Sequence, residues 1–328
     1  MALVSVLVAV YNGEAFLDPC LSSLRAQTLT DIEIICVDDG STDATPEILR
    51  RYAAADGRIR VLAQKNRGAA AARNHALRHA TGTYAMMVDS DDWITPDTLA
   101  SASVAFDKGA FDGVFLQLYR YHQETGTAVH EPLPATPLSG VEAFRLSLDG
   151  RVHGLICWKR SFLTQYGFDE QGTYGDEYTT RLLLINSTTL GSCEGKYFYR
   201  KHGASITSRF SGKWFDALST QARIQELIDT HTLAPEVSND FLKTRFHTVE
   251  WLLRSLHTYK HDLSKEEFST LKKKLSDSFS LVVHHTKRPD RFFPDSAAKE
   301  LTTRNMILLN MFVHLREIRR RFTERRPT

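Results

Sequence analysis

The sequence predicts an α/β domain built on a mostly parallel sheet, followed by a helical C-terminal region. Three observations carry that prediction. Short apolar runs at residues 4–10, 32–37 and 59–63 are rich in β-branched residues, as strands covered on both faces are. Each run is followed by a turn and then by apolar residues at helical spacing, which makes βαβ units and hence parallel strands. After about Phe210 such runs cease and amphipathic helical patterns take over.

Taken in order, the first run breaks at Tyr11-Asn12-Gly13, and Phe16, Leu17, Cys20, Leu21 and Leu24 then mark a helix. The second ends in Asp38-Asp39-Gly40-Ser41-Thr42-Asp43, a turn with capping groups for a helix carrying Ile48, Leu49 and Tyr52. The third leads through Asn66-Arg67-Gly68 into an alanine-rich helix reaching about Ala80. A fourth strand, from Tyr84, runs into Asp89, Asp91 and Asp92, and Trp93-Ile94-Thr95-Pro96-Asp97 reads as the start of a helix over 95–107. Residues 113–119 form a further strand, and the proline-containing stretch 122–139 reads as a surface loop or hairpin.

Gly175-Asp176-Glu177 opens another helix, with Leu182, Leu183 and Ile185 on its apolar face. Residues 196–205 read as a last strand and a basic loop. Helices are expected over 214–231, 240–261 and 263–275, and a final one places Leu308, Met311, Phe312, Leu315, Ile318 and Phe322 on one face. The expected division is 1–209 and 210–328.

With 328 residues, 42% of them apolar, the chain has the composition of a globular protein. Its 41 basic and 39 acidic residues give a formal charge of +2, which offers no case for nucleic acid. The basic charge gathers in the tail, where seven arginines from Leu301 onward face only Glu317 and Glu324. Cys20, Cys36, Cys157 and Cys193 are widely spaced and lack C-x-x-C pairing, which suits reduced core thiols and a cytoplasmic chain. No basic leader and no apolar run of about 18 residues stands in the sequence, so neither a signal peptide nor a membrane span is expected.

In sheets of this kind ligands sit beyond the carboxyl ends of the strands, where Tyr11, Asp38, Asp39 and Asp89 to Asp92 all fall. Asp89 and Asp91 project to one side if the extended conformation persists through Ser90. Two such oxygen donors suit Mg²⁺ or Mn²⁺; the alternative is acids that cap the next helix. The dinucleotide pattern G-x-G-x-x-G is replaced after the first strand by Tyr-Asn-Gly-Glu-Ala-Phe, and no P-loop is present. Trp158 with Lys159 and Arg160 combines an aromatic face with cations, which suits sugars and phosphates or equally a packed ring beside solvated charges.

Four segments carry a resemblance: Val-Ser-Val-Leu-Val-Ala-Val-Tyr-Asn at 4–12, Val-Asp-Asp-Gly-Ser-Thr-Asp at 37–43, Ala-Ala-Arg-Asn-His-Ala-Leu at 71–77 and Val-Asp-Ser-Asp-Asp at 88–92. In this order they resemble the motif series of family 2 glycosyltransferases, which have the GT-A fold. The likeness covers about residues 3–100 closely and 150–207 more loosely.

The resemblance implies a nucleotide site of Ala9, Tyr11, Asp38, Asp39, Arg73 and Asp89, with Tyr11 against the base and Asp39 on a uracil edge. It implies that Asp89 and Asp91 form the D-x-D motif carrying Mn²⁺ or Mg²⁺, that His202 completes the metal shell, and that Arg200 and Lys201 meet the diphosphate. The family's later acid pair, commonly Glu-Asp, supplies the general base. Here Gly175 stands in place of the Glu, or the pair is inverted to Asp176-Glu177, so the base is one of these two. Asp176 keeps Tyr-Thr-Thr-Arg-Leu-Leu in the expected register. A single base without a protein nucleophile implies inversion at the anomeric carbon.

The partners so implied are a UDP-sugar and a saccharide or lipid-linked oligosaccharide acceptor of bacterial surface polysaccharide assembly. The basic amphipathic tail suits an anionic membrane surface, peripheral on the cytoplasmic face, or alternatively an oligomer contact. Rival readings are a nucleotidyltransferase that makes sugar nucleotides and a catalytically silent nucleotide-binding scaffold.

Overall fold

A computed structural model of the chain describes residues 2–203 and 210–285, with side chains through Val282. The chain forms two compact units, one of Met1–Gln171 and Gly175–Ser208, the other of Gly172–Tyr174 and Arg209–Thr328.

The first unit is organised by one ten-stranded sheet. Its first half is the βαβ series expected from the apolar runs: β1 Val4–Val10, α1 Leu17–Arg25, β2 Ile32–Asp38, α2 Thr45–Ala55, β3 Ile59–Ala63, α3 Ala69–His79 and β4 Tyr84–Met87. β1 pairs in parallel with β2 and β4, and β2 with β3. Val6, Leu7, Val8, Ile34 and Ile35 are wholly buried, each removal from water stabilising the fold by about 1.5–3 kcal/mol.

The second half is less regular. β5 Trp93–Ile94, α4 Thr98–Lys108, β6 Gly113–His122, β7 Thr127–Glu131, β8 Leu138–Ser139, α5 Gly140–Leu148, β9 Ile156–Lys159, α6 Arg160–Tyr166, α7 Gly175–Asn186 and β10 Thr189–Lys201 follow. The strand order is β3-β2-β1-β4-β9-β6-β10-β5, with β7 beside β6 and β8 beside β10. β6 and β10 run parallel to each other, while β9, β7, β8 and β5 run antiparallel to their neighbours.

One sequence expectation is corrected here: Trp93-Ile94 is a short strand against Phe198 and Tyr197 of β10, and the helix begins only at Thr98. The loop-or-hairpin stretch 122–139 contains a hairpin return, with β7 on β6. α5, β9 and α6 were not anticipated.

The second unit contains α8 Asp216–Thr230, α9 Pro235–Thr258 and α10 Lys265–His285. Leu242, Val249, Leu252, Leu256, Leu275 and Phe279 form its core with Phe215. α9 starts five residues earlier than its apolar spacing indicates, with Pro235 in its first turn, where a missing N–H costs nothing. No helix among the described residues is long and apolar enough to cross a membrane. The four cysteines are buried and unpaired. The expected helix near 308–322, and Ala204 and Ser205 of the basic loop, lie outside the described residues.

Candidate active site

The carboxyl ends of β1, β2, β4, β6 and β10 lie at one end of the sheet, because these strands are parallel through β1 to β4 and again through β6 to β10. At β1, Tyr11 is 52% exposed. Behind it the backbone is laced to the turn after β2: Asn12 N–H donates to Ser41 Oγ at 2.9 Å, and Thr42 N–H to Asn12 Oδ1 at 2.8 Å. Asn12 adopts a φ of +48° and Gly40 one of +78°, the left-handed backbone these residue types tolerate. Ala9 is half-buried on β1 opposite Val37.

Asp38 and Asp39 take different roles. Asp38 accepts from Ser41 N–H through Oδ1 at 2.9 Å, and its other oxygen has no partner among the described residues. Asp39 is 2% exposed and its carboxylate accepts three hydrogen bonds from the chain. Oδ1 accepts from Gln64 Nε2 at 2.8 Å and Arg67 N–H at 2.9 Å, and Oδ2 accepts from Gly68 N–H at 2.7 Å. Those bonds hold the start of α3, and of the two neighbouring acids expected at the nucleotide it is Asp38 that keeps an oxygen with no partner among the described residues.

The acidic stretch departs from the extended reading. β4 ends at Met87 and the chain turns at Ser90-Asp91, with Asp92 N–H donating to Asp89 O at 3.1 Å. Asp89 and Asp91 consequently meet different partners. Asp89 Oδ1 accepts from Arg73 Nη2 at 2.5 Å, whereas Asp91 Oδ2 lies 3.0 Å from His202 Nε2. Arg73 reaches the turn from α3. Its guanidinium loses hydration by burial, yet Asp89 and then Asp176 raise its pKa.

Asp92 is wholly buried. It accepts from Tyr197 Oη at 2.8 Å and from Arg200 N–H at 2.7 Å, and Tyr197 Oη in turn accepts from Asp89 N–H at 3.1 Å. Burial first, then Asp89 and Asp91, pushes the Asp92 carboxyl well above the ordinary range. Its oxygens face the protein and not the cleft.

The donor set was tested against a divalent ion. Among the described residues, no three His, Cys, Asp or Glu side chains form a ready metal cage; of the expected ligands Asp89, Asp91 and His202, Asp89 gives its Oδ1 to Arg73. Asp91 and His202 fit as a pair. Two cis ligands of an octahedral ion bonded at about 2.1 Å stand about 3 Å apart, and Asp91 Oδ2 and His202 Nε2 are 3.0 Å apart. Mg²⁺ and Mn²⁺ accept so few protein ligands when water and phosphate supply the rest.

Asp176 lies in the first turn of α7. It borders a small pocket lined by Met87, Trp158, Leu163, Phe168 and Thr180. The protein around it raises its pKa, as do Glu177 and Asp89, while Arg73 opposes the rise. The residue keeps solvent access, so water limits that effect. Glu177 pairs through Oε2 with Arg181 one turn along the helix.

Of the suggested sugar or phosphate contacts, Trp158 is 5% exposed and stacks on Phe162. Lys159 is corrected outright. It pairs with Asp112 and lies beside Tyr84, at the amino ends of β4 and β6, because β9 runs against them. Lys201 alternates to the strand face opposite Arg200, where Glu131 feels its charge.

Arg200 stands next to the acidic turn. Its guanidinium lies 4.5 Å from the Trp93 ring, 5.3 Å from Phe16 and 5.8 Å from Tyr121. Sequence reasoning missed these rings and Tyr197. Strand alternation over 196–202 could have marked Tyr197, since it separates Tyr197 and Tyr199 from Phe198 and Arg200; the rings of Phe16, Trp93 and Tyr121 come from other segments and have no such local signal.

The profile of glycosyl transferase family 2 matches residues 5–166. EpsH of Bacillus subtilis (strain 168), which carries a glycosyltransferase name, is 52% identical over 234 residues, covering 65% of each chain. The glycosyltransferase GlyG of Streptococcus pneumoniae serotype 4 is 30% identical over 227 residues, covering 65% of this chain and 75% of GlyG. The chain thus spans less than two thirds of the length of EpsH. A crystal structure of S. aureus TarS 1-349 in complex with UDP superposes with a TM-score of 0.69 at 19% identity, over 98% of this chain and 92% of that one, a likeness that shows the GT-A fold. The chain belongs to glycosyl transferase family 2.

Proposed function

We propose that the chain is an inverting, divalent-metal-dependent glycosyltransferase that moves a sugar from a UDP-sugar to a hydroxyl of a saccharide or lipid-linked oligosaccharide acceptor, in the assembly of a bacterial surface polysaccharide. The observation that carries this reading is the position of Arg73. Ion-paired with Asp89 and electrostatically coupled to Asp176, it joins the acidic turn to the start of α7. The two ends of a glycosyl transfer, departing diphosphate and entering hydroxyl, require such neighbours. The UDP complex of TarS supports a uridine donor by likeness of fold.

In this reading the exposed Tyr11 ring covers a face of the base, and the available oxygen of Asp38 accepts from a base N–H. Arg73 holds Asp89 and offers positive charge toward the nucleotide. Asp91 and His202 would hold Mn²⁺ or Mg²⁺, which supplies neutralisation of the departing diphosphate. Asp176 takes the proton of the acceptor hydroxyl as its oxygen bonds to the anomeric carbon and the bond to the UDP oxygen breaks. Attack from the face opposite the leaving group inverts the centre.

The test is UDP release from a panel of UDP-sugars with saccharide acceptors, with and without Mn²⁺, and NMR of the product anomer. Acceptor-dependent, Mn²⁺-stimulated release with inversion is expected. Formation of a sugar nucleotide from a nucleoside triphosphate would replace this reading with a nucleotidyltransferase. Nucleotide binding without turnover of any acceptor would make the chain a silent binder.

A further inference from the structure

The C-terminal half of β10, with His202 just after it, touches Asp89, Asp91 and Asp92 of the acidic turn. Tyr197 Oη bridges Asp89 N–H and the Asp92 carboxylate, Arg200 N–H donates to Asp92, and His202 meets Asp91. Arg200 adds a bond of another kind, its Nε donating to the backbone oxygen of Asp91 at 2.7 Å. A guanidinium fixed in that way has its plane set by the turn.

The surroundings of the guanidinium are aromatic and not phosphate-like. Phe16, Trp93 and Tyr121 approach it from three elements, and these rings are themselves held. Trp93 stacks on Phe198 with centroids 5.1 Å apart, and Phe198 on Tyr119 at 5.2 Å. Phe16 also contacts the His202 ring at 4.2 Å. The box therefore carries the two candidate metal ligands on either side of Arg200: Asp91 through its carbonyl, His202 through Phe16. Lysine cannot reproduce this, since it lacks the flat group that stacks and the Nε that donates.

We propose that Arg200 is a positioning residue for Asp91, holding the turn so that Asp91 and His202 together receive a divalent ion, and that it does not serve as a diphosphate contact. The inference rests on the metal-dependent reading above and assigns Arg200 a different part in it. A phosphate contact and a positioning residue differ in what they control. The first sets nucleotide affinity even without metal, and the second sets metal affinity.

The experiment uses the full chain carrying Arg200→Lys. Mn²⁺ binding is followed in the presence of UDP by the electron paramagnetic resonance signal of free Mn²⁺, and UDP binding is measured separately by calorimetry in a chelator. The Mn²⁺ dissociation constant is expected to rise about tenfold, as for groups that orient metal ligands. UDP affinity in the chelator should stay within about twofold, and turnover should recover at saturating Mn²⁺. Loss of about tenfold in chelator UDP affinity with unchanged Mn²⁺ binding would return Arg200 to the diphosphate and overturn the proposal.

Tyr121→Leu removes one wall of the box while leaving every charge in place, and guards against a folding defect in the lysine variant. It is expected to weaken Mn²⁺ binding in the same direction by a smaller factor; a folded Tyr121→Leu protein with unchanged Mn²⁺ affinity counts against the box. Failure of the wild-type chain to bind Mn²⁺ at all in the presence of UDP would instead overturn the metal-dependent reading beneath the proposal.

Discussion

The replacement Asp39→Asn separates a structural acid from a ligand-binding one. The Asp39 carboxylate, 2% exposed, accepts from Gln64 Nε2, Arg67 N–H and Gly68 N–H at 2.8, 2.9 and 2.7 Å. An asparagine retains one oxygen, so its amide NH₂ must face at least one of those donors. The loss comprises a charge-assisted hydrogen bond, about 1.5–3 kcal/mol, and a buried donor left unpaired, about 1–3 kcal/mol. Together these amount to roughly 3–5 kcal/mol, or a fall in Tm of roughly 6–20 °C for a domain of this size. Thermal melting by circular dichroism reads the stability, and UDP titration by calorimetry reads the site. Asp38→Asn is the control, because Asp38 has a single donor among the described residues: it should melt near wild type and weaken UDP binding. Wild-type melting of the Asp39→Asn protein together with a large loss of UDP affinity would refute the reasoning and return Asp39 to the base.

Asp91→Ala is expected to remove the stimulation of turnover by Mn²⁺, measured as UDP release over a metal titration; an unaltered Mn²⁺ response would exclude Asp91 as a ligand. The pH profile should follow the raised pKa of Asp176. A base works when ionised, so activity is present above that raised value and is lost as pH falls through it, at a higher pH than for an ordinary aspartate. Glu177→Gln takes away one of the charges that raise it, and the acid limb of the rate profile should move to lower pH. Deletion of residues 305–328 should weaken sedimentation with anionic liposomes, given the arginines gathered there; unchanged sedimentation would remove the tail from membrane binding.

The fold was most legible where local signals repeat. Continuous β-branched runs and helical spacing indicated β1 to β4 and the intervening helices because each of those elements is long enough to show its period. β5 has two residues and no period of its own; it exists through its pairing with β10, which no local pattern announces. β9 is similar, an antiparallel strand inserted between β4 and β6 by long-range pairing. α5 carried a readable signal: Ser139 and Glu142 have capping spacing, and Ser139 Oγ accepts from Glu142 N–H at 3.2 Å.

At the site, residue types were legible before partners. Carboxylates at strand ends marked the place, yet period-two reasoning aligned Asp89 with Asp91 only while the chain stayed extended. The turn at Ser90 gives one acid to Arg73 and the other to His202. Asp39 and Asp38 are chemically identical neighbours in the sequence, and only the fold of the α3 start distinguishes them. Arg200 shows the same limit, since its aromatic neighbours Phe16, Trp93 and Tyr121 come from distant segments and are in view only once the chain is folded.

The central claim is that one carboxylate, Asp176, held near Arg73 and the acidic turn, removes the acceptor proton. It is tested most directly by comparing acceptor turnover and UDP affinity in Asp176→Asn and Glu177→Gln. The account predicts a fall in turnover of about 10²- to 10⁴-fold for Asp176→Asn, with UDP binding unchanged, and turnover near wild type for Glu177→Gln at the optimum, since Glu177 faces Arg181 along the helix. Normal turnover in Asp176→Asn, with the loss appearing in Glu177→Gln instead, would contradict it.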